Sequence, residues 1–599
     1  MCGIAGVMVK DGAAPPQAVL RRLGDALAHR GPDGEGFYTC DDVGLVHTRL
    51  AIIDLATGDQ PLFARHPDPA GRPLALIANG EIYNDLDLRT MLGPDRFATR
   101  SDCEPPLHLY MRHGEAFADH LRGMFAIAIH EPMRGAGEGG RLVLARDPFG
   151  IKPLYFAETP TLFAFASEPQ ALVAAGVVPA TLHPGAREEL LQLQFTTGRA
   201  TAFAGIHRVL PGETLVIERG RITRSLARPA LPSGPPREMD EGEALAALDT
   251  VLTDSIHLHQ RSDVPYGMFL SGGIDSAVIL TVMSRLNERP VLAFTAGFAG
   301  TGVHDEQADA AALAHATGAE HVRITVSEDD FWHLLPQVAA WMDDPAADYA
   351  ALPSFKLAAA ARDAGIKVVL TGEGGDEMFA GYGRYRRAMR PRLLGGRPMR
   401  ARGALEGMNV LRDEGGWRAG LAQAEGGQDS AERTRLQVAQ AADCAEWLPN
   451  DLLVKLDRCL MAHGIEGRVP FVDPVVADFA FRLPDRLKVG GRLGKRLLRR
   501  WLERNQPAAR SLARKRGFTV PVATWLAGRA AELAPLLAAQ ESLRQACRPG
   551  SVERVLKEAS RGNARAGRAA WNILFYALWY RRHVAGLAPD ADVFATLAS

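Results

Sequence analysis

Residues 227–243 read ARPALPSGPPREMDEGE, dense in proline and charge and poor in apolar side chains. A stretch with so little to bury does not belong inside a core and reads as a boundary between domains. It predicts a first domain over residues 2–225, a linker over 226–240 and a second domain over 241–599. The segment just before it, IHRVLPGETLVI, still reads as strand and turn and closes the first domain. The two sides differ in their hydrophobic period, so they cannot share one fold class.

On the N-terminal side the pattern is short, apolar or alternating runs bounded by Gly, Pro, Asp or Asn. Strands are predicted at Gly3–Val9, Val43–Asp54, Leu74–Tyr83, Phe125–Glu131, Arg141–Asp147 and Leu162–Ser167, with helices near Gln17–Ala28 and Glu104–His113. Many strands with few helices predict sheets packed on each other and covered by helices. On the C-terminal side a helix is predicted over Glu241–His257. Strands at Val264–Leu270, Val291–Gly297, His321–Val326 and Lys367–Leu370 then alternate with helices near Ala277–Leu286, Glu306–Thr317 and Ser354–Ala364. That alternation predicts βαβ units and a parallel sheet. The remaining third reads as mostly helical.

Composition removes several function classes. A formal net charge of -1 over 599 residues gives no electrostatic reason for a nucleic-acid or acidic-membrane partner. Six cysteines without a CxxC pair argue against a disulfide framework and a structural zinc site. Without a signal pattern or a spanning apolar run, a cytoplasmic protein is expected.

The chain opens Met1-Cys2-Gly3. Removal of the methionine would leave Cys2 with a free amine beside its own thiol, a nucleophile and a base in one residue. The amine titrates near ~8 and the thiol near ~8.5, so both change state close to neutrality. Three polar clusters interrupt the apolar strands: His29-Arg30-Gly31-Pro32-Asp33, His47-Thr48-Arg49-Leu50 and Asn79-Gly80-Glu81-Ile82-Tyr83-Asn84. Taken singly, each reads as an ordinary turn or a solvated cation.

In the second domain Ser271-Gly272-Gly273-Ile274-Asp275-Ser276 follows a predicted strand and opens a helix. Two glycines allow close backbone approach, two serines donate hydroxyls, and the helix offers its N-terminal N–H groups, which suits a phosphate. It is not a Walker A loop, since no GK[ST] occurs. Thr371-Gly372-Glu373-Gly374-Gly375-Asp376-Glu377 follows another strand end and faces the same crevice. Asp275 and Asp376 are candidate Mg²⁺ ligands, carboxylate oxygens suiting a hard cation.

Together, MCGIAG, HRGPDG, HTRLAIIDL, NGEIYN, SDCE and RDPFGIKPLY resemble, in order, the class II glutamine amidotransferase domains. SGGIDS resembles the pyrophosphate loop of ATP pyrophosphatases. VKLDRCLMAHGIEGRVPFVD at 454–473 and RKRGFTVPVATW at 514–525 resemble the C-terminal part of asparagine synthetases. The resemblance implies an α+β first domain of the N-terminal-nucleophile type, with stacked antiparallel sheets flanked by helices. It implies an α/β second domain of ATP-pyrophosphatase type, a parallel sheet with a helical C-terminal part.

The same resemblance implies roles. Cys2 would attack glutamine, with Asn79 and the Gly80 N–H stabilising the oxyanion. Arg49 would hold the substrate's α-carboxylate and Asp102 its α-ammonium, with Leu50, Ile53 and Glu81 completing the pocket. Leu270, Ser271, Gly272, Gly273, Asp275, Ser276, Ala296, Thr371 and Gly372 would contact ATP. Glu373 would orient the acceptor amino acid or the ammonia, and Arg458 or Lys455 would meet the pyrophosphate or the adenylate. Glutamine, aspartate and ATP are the implied small-molecule partners, and a homodimer is expected by analogy. An amidotransferase of this architecture acting on a peptide or sugar acid shares every motif. A β-lactam synthetase-like ring closure would not need Cys2, Arg49, Asn79 and Asp102, and a non-catalytic homologue would be expected to have lost Cys2 or SGGIDS.

Overall fold

The computed structural model describes residues 2–64, 73–132, 140–298, 307–391, 393, 395–428, 431–491, 493–512 and 520–599. The RKRGFT half of the 514–525 motif and Glu306 lie outside them.

The first domain contributes twelve strands: β1 (Gly3–Val9), β2 (Gly34–Cys40), β3 (Val43–Arg49), β4 (Leu62–Phe63), β5 (Ala75–Ile82), β6 (Gly123–Glu131), β7 (Arg141–Arg146), β8 (Tyr155–Glu158), β9 (Leu162–Ala166), β10 (His207–Arg208), β11 (Glu213–Glu218) and β12 (Arg221–Ala227). They form two six-stranded sheets, ordered β10-β8-β9-β1-β3-β2 and β12-β11-β7-β6-β5-β4. The period-2 alternation builds four layers. Ile4 and Met8 of β1 point between the sheets, where they meet Ile77, Ala128, Leu144 and Phe165. Ala5 and Val7 point the other way, against Leu20, Leu23 and Leu27 of the helix Gln17–Leu27. Leu76, Ala78, Ile127 and Ile129 cover the far face with Leu107 and Leu109 of the helix Pro105–His113. The result is helix, sheet, sheet, helix.

The predicted strand Val43–Asp54 is too long: β3 stops at Arg49. The chain turns at Asp54, whose φ is +54° and whose carboxylate accepts from the Thr57 N–H (3.0 Å), the Thr57 hydroxyl (2.6 Å) and the Arg100 N–H (2.9 Å). A side chain that satisfies three donors holds the backbone in a turn.

After β12 the chain runs to the helix Glu241–His259, which Asp240 and Glu243 close with a capping box. The second domain holds β13 (Tyr266–Phe269), β14 (Leu292–Phe298), β15 (Glu320–Val326), β16 (Val368–Leu370) and β17 (Glu466–Arg468) in one parallel sheet, ordered β15-β14-β13-β16-β17. The chain first builds outward from β13 through β14 to β15, then returns to add β16 and β17 on the other side. That reversal puts the crevice at the carboxyl ends of β13 and β16. The C-terminal third is helical, except that β17 interrupts it. The helix Ala564–His583 is buried along its length, with Trp571, Ile573 and Trp579 at 0–1 % exposure, so it serves as a core element rather than a surface one. No helix among the described residues is long and apolar enough to cross a membrane.

Leu144 is fully buried between the two antiparallel sheets. A Leu144→Ala change should destabilise the first domain by about 2–5 kcal/mol, visible as a lower denaturant midpoint; an unchanged midpoint would place Leu144 outside the core.

Candidate active sites

Cys2 stands immediately before β1, and three contacts fix it. Its backbone nitrogen donates to Asn79 Oδ1 (3.0 Å), its carbonyl accepts from Arg30 Nε (3.2 Å), and its thiol faces the Leu50 carbonyl at 3.9 Å. Gly3, next in the chain, donates to the Thr48 hydroxyl (3.1 Å) at the end of β3. Asn79 therefore spends its oxygen on Cys2. Its Nδ2 is buried and has no partner among the described residues. A buried amide donor left without a partner is costly, and this one belongs to the residue that holds the Cys2 nitrogen. Gly80 must be glycine because a Cβ there would lie 2.2 Å from the Met124 carbonyl oxygen on β6. Burial raises the Cys2 thiol above its ordinary range.

Asp102 is buried and accepts from the Ile82 N–H (2.7 Å). The Cys103 thiol lies 3.6 Å from the Gly80 carbonyl, so the SDCE segment grips β5 at the residues that follow Asn79. Burial pushes Asp102 up to about 6. Burial first, and then the neighbouring Asp102 charge, raises Glu81 as well. Two close buried carboxylates favour a cation between them. Arg49 donates to Asp59 Oδ1 (2.6 Å) and the Asp54 carbonyl (2.5 Å), which holds its guanidinium at the end of β3 beside Leu50. Ile53 packs with Leu50 and Ile52 against Val368 and Met461 of the second domain.

The second site is a cavity of about 760 Å³ at the β13/β16 crevice. Leu270, Ser271, Gly272, Gly273, Asp275, Ser276, Ala296, Thr371 and Gly372 all line it, together with Glu373, Asp376 and Lys455. The SGGIDS loop is organised by its own serines: the Ser276 hydroxyl donates to the Ser271 carbonyl (2.8 Å), and the Gly273 N–H donates to Ser271 Oγ (3.2 Å). The helix Ile274–Leu286 begins at the cavity wall, where a helix N-terminus suits an anion. The two loops touch at Gly375, where a Cβ would sit 2.4 Å from Asp275 Oδ1.

Two lysines organise the cavity's charge. Lys495 bridges Asp275 Oδ2 and Asp376 Oδ1, the latter at 2.7 Å. Lys455 bridges Asp348 (3.1 Å) and Glu373 (3.0 Å). Burial opposes both charges, but the paired carboxylates hold both pKa values above the ordinary lysine range. Lys495 and Asp348 were not singled out from the sequence. Lys495 lies in GRLGKRLL, where a glycine precedes it and φ is +55°, a backbone conformation that L residues seldom adopt outside functional sites.

Arg458 is not brought to this cavity. It sits on the same helix as Lys455, Leu453–Met461, but one turn on, and that turn faces the domain interface. There it donates to Asp343 (2.6 Å) and Asp457 (2.5 Å) and lies 3.5 Å from the Tyr155 hydroxyl of the first domain. Its side chain is 1 % exposed, so its charge is spent on buried carboxylates.

Two family models cover the chain. A glutamine amidotransferase domain matches residues 1–227 and an asparagine synthase domain matches residues 247–581. The chain belongs to the asparagine synthase family. The asparagine synthetase (glutamine-hydrolyzing) 1 of Bacillus subtilis strain 168 is 31 % identical, over 97 % of this chain and 96 % of its own length. A putative asparagine synthetase (glutamine-hydrolyzing) of Mycobacterium tuberculosis H37Rv is 33 % identical over 97 % of both chains. Asparagine synthetase B of Escherichia coli K12 is 29 % identical, over 87 % of this chain and 82 % of its own.

The unpartnered Asn79 amide gives the first site a direct test. Asn79→Ala should cut glutamate release from glutamine about 10²–10³-fold, roughly 2.7–4 kcal/mol of transition-state stabilisation. Steady-state glutamate assays measure it, and a loss below about threefold would remove Asn79 from the chemistry.

Proposed function

We propose that the protein makes L-asparagine from L-aspartate, taking nitrogen from glutamine and energy from cleavage of ATP to AMP and pyrophosphate. The observation that carries this reading is the pairing of sites in one chain. A cysteine nitrogen is held on Asn79 at 3.0 Å, beside a buried donor. A glycine-serine loop lines a 760 Å³ cavity, and its Asp275 converges with Asp376 on the Lys495 ammonium.

In the first domain, after removal of Met1, the Cys2 amine takes the thiol proton and the thiolate attacks the glutamine side-chain amide. Asn79 Nδ2 and the Gly80 N–H stabilise the oxyanion. Arg49 presents a planar fork suited to the α-carboxylate, Asp102 with Glu81 supplies the negative charge the α-ammonium needs, and Leu50 and Ile53 close the apolar side. Ammonia leaves, and water hydrolyses the thioester to glutamate.

In the second domain ATP takes the cavity, with adenosine against Leu270, Ala296 and Gly372 and the phosphates on Ser271–Ser276 and Thr371. Asp275 and Asp376 are drawn onto one ammonium and have the hard-oxygen chemistry Mg²⁺ takes from proteins, one or two carboxylates beside phosphate and water. Bound there, Mg²⁺ would neutralise phosphate charge, and Lys495 supplies the chain's own cation at the same place. The aspartate side-chain carboxylate attacks the α-phosphorus, giving β-aspartyl-AMP and pyrophosphate. Ammonia then adds to the acyl carbon and AMP leaves. Glu373, fixed by Lys455, is placed to orient the acceptor or the ammonia.

Mass spectrometry of the purified protein with ATP, Mg²⁺, glutamine and aspartate tests the reaction. Asparagine, glutamate, AMP and pyrophosphate should appear in equal amounts. Glutamate without asparagine would move the acceptor to another carboxylate, such as a peptide or sugar acid. The division of labour is tested separately. Cys2→Ala should abolish glutamine-dependent synthesis and retain synthesis from added ammonium, so loss of both would sink it. Asp275→Asn should stop pyrophosphate release while glutamate release continues, and an unchanged synthesis rate would exclude Asp275 from the phosphate site.

A further inference from the structure

The strand β17 belongs to the second domain, yet one of its side chains reaches the glutamine site of the first. Arg468 is fully buried, and its guanidinium is held from several sides while Nη2 keeps an ion pair but no hydrogen bond among the described residues. Nε donates to Glu466 Oε1 (2.7 Å), Nη1 donates to the His259 carbonyl (3.0 Å) and the Arg261 carbonyl (2.5 Å), and Nη2 pairs with Glu81 Oε1 at 3.2 Å. Glu81 directly follows Gly80 and lies close enough to Asp102 for the two charges to interact. Glu81 of the first domain and Glu466 of its own strand therefore share this guanidinium, and Asp102 feels its charge. Burial and mutual repulsion raise both Glu81 and Asp102, and the Arg468 charge works against that rise at each of them.

The backbone of the same residue serves the other site. The Arg468 carbonyl accepts from the Thr371 N–H at 2.9 Å, and Leu370 pairs with Arg468 across β16 and β17. Thr371 lines the 760 Å³ cavity, and its hydroxyl is buried without a partner among the described residues. A phosphate or ribose oxygen in that cavity gives the hydroxyl its missing partner. The contact is then one peptide hydrogen bond from Arg468 and one ion pair from Glu81.

We propose that Arg468 is a positioning residue for the glutamine half-reaction, and that through it glutamine affinity follows occupancy of the nucleotide cavity. This rests on the reading of the two sites given above. Arg468 touches neither substrate: it holds Glu81, and Thr371 holds it. Linkage makes the effect reciprocal, so bound glutamine must tighten nucleotide binding by the same factor.

The test measures glutamate release against glutamine concentration for the full-length protein, with and without aspartate plus α,β-methylene-ATP. That analogue occupies the cavity but cannot be split between its α and β phosphates, so the readout is binding and not turnover. The wild-type KM for glutamine should fall by about fivefold or more, the lower end of usual coupling between sites, with little change in kcat. Arg468→Lys and Glu81→Gln should each abolish the shift. Ammonium-dependent synthesis by Arg468→Lys reports whether that variant is folded; if it is not, Glu81→Gln decides. A wild-type KM that ignores the analogue, or a folded variant that responds as the wild type does, would overturn the proposal. Failure of the proposed reaction looks different: no asparagine from ATP, aspartate and ammonium, whatever glutamate release does.

Discussion

The structure depends on one buried cation, Arg30. It is fully buried, donates to the Cys2 carbonyl (3.2 Å), and forms a two-pronged pair with Asp457 of the second domain (2.8 and 2.9 Å), while Glu168 accepts from it at 2.7 Å. Burying a charge without partners costs several kcal/mol, and removing one partner from a buried pair costs about 3–5 kcal/mol. Arg30 is tolerable inside only when both domains are docked. The contact that positions the Cys2 backbone is therefore also a contact that locks the domains. Arg458 continues it, joining Asp457 to Asp343 and approaching Glu168 at 3.9 Å. Arg208 does the same elsewhere, gripping Asp344 with two donors at 2.9 and 2.7 Å. Bidentate arginine pairs fix orientation as well as distance, so the interface holds one geometry.

The reversal of strand order does the corresponding work for the second site. β13 and β16 are neighbours in space though about 100 residues apart in the chain, so SGGIDS and TGEGGDE leave the sheet side by side. Glycine then decides how near they come, because a Cβ at 375 would strike Asp275. With the loops this close, Asp275 and Asp376 converge on a single ammonium.

Much of this was legible in the sequence where one local rule sufficed. β1 is apolar, β-branched and bounded by a turn, and it falls on Gly3–Val9 as expected. The nine residues expected to contact ATP line one cavity at the strand ends of the second domain, where an α/β sheet binds ligands. The failures are places where tertiary context overrides the local pattern. β17 reads Glu-Gly-Arg, with no apolar alternation, and is a strand because β16 offers it a parallel edge. Arg458 looked like a phosphate contact because it is a cation near Lys455. Which helix face meets the cavity depends on where the other domain docks, and sequence does not carry that. Lys495 is one basic residue among many, just before the arginine-rich helix Arg496–Asn505, and its left-handed backbone and two carboxylate partners mark it.

The remaining constraint is chemical. Under the proposed reaction, ammonia released into open water at neutral pH would be mostly protonated and no longer a nucleophile, so close contact between the two sites would favour its transfer. The turn after β3 joins the two domains. Its Leu50 carbonyl faces the Cys2 thiol, and its Ile52 carbonyl accepts from the Asp263 N–H (3.0 Å) of the second domain. Its apolar side chains pack on Val368 of β16 and on Met461. The segment that touches Cys2 is thus seated, through apolar side chains, on the strand that ends one residue before Thr371. An early stop of β3 at Arg49 makes this possible. Had the strand continued to Asp54, those side chains would have alternated across the sheet instead of gathering at the interface.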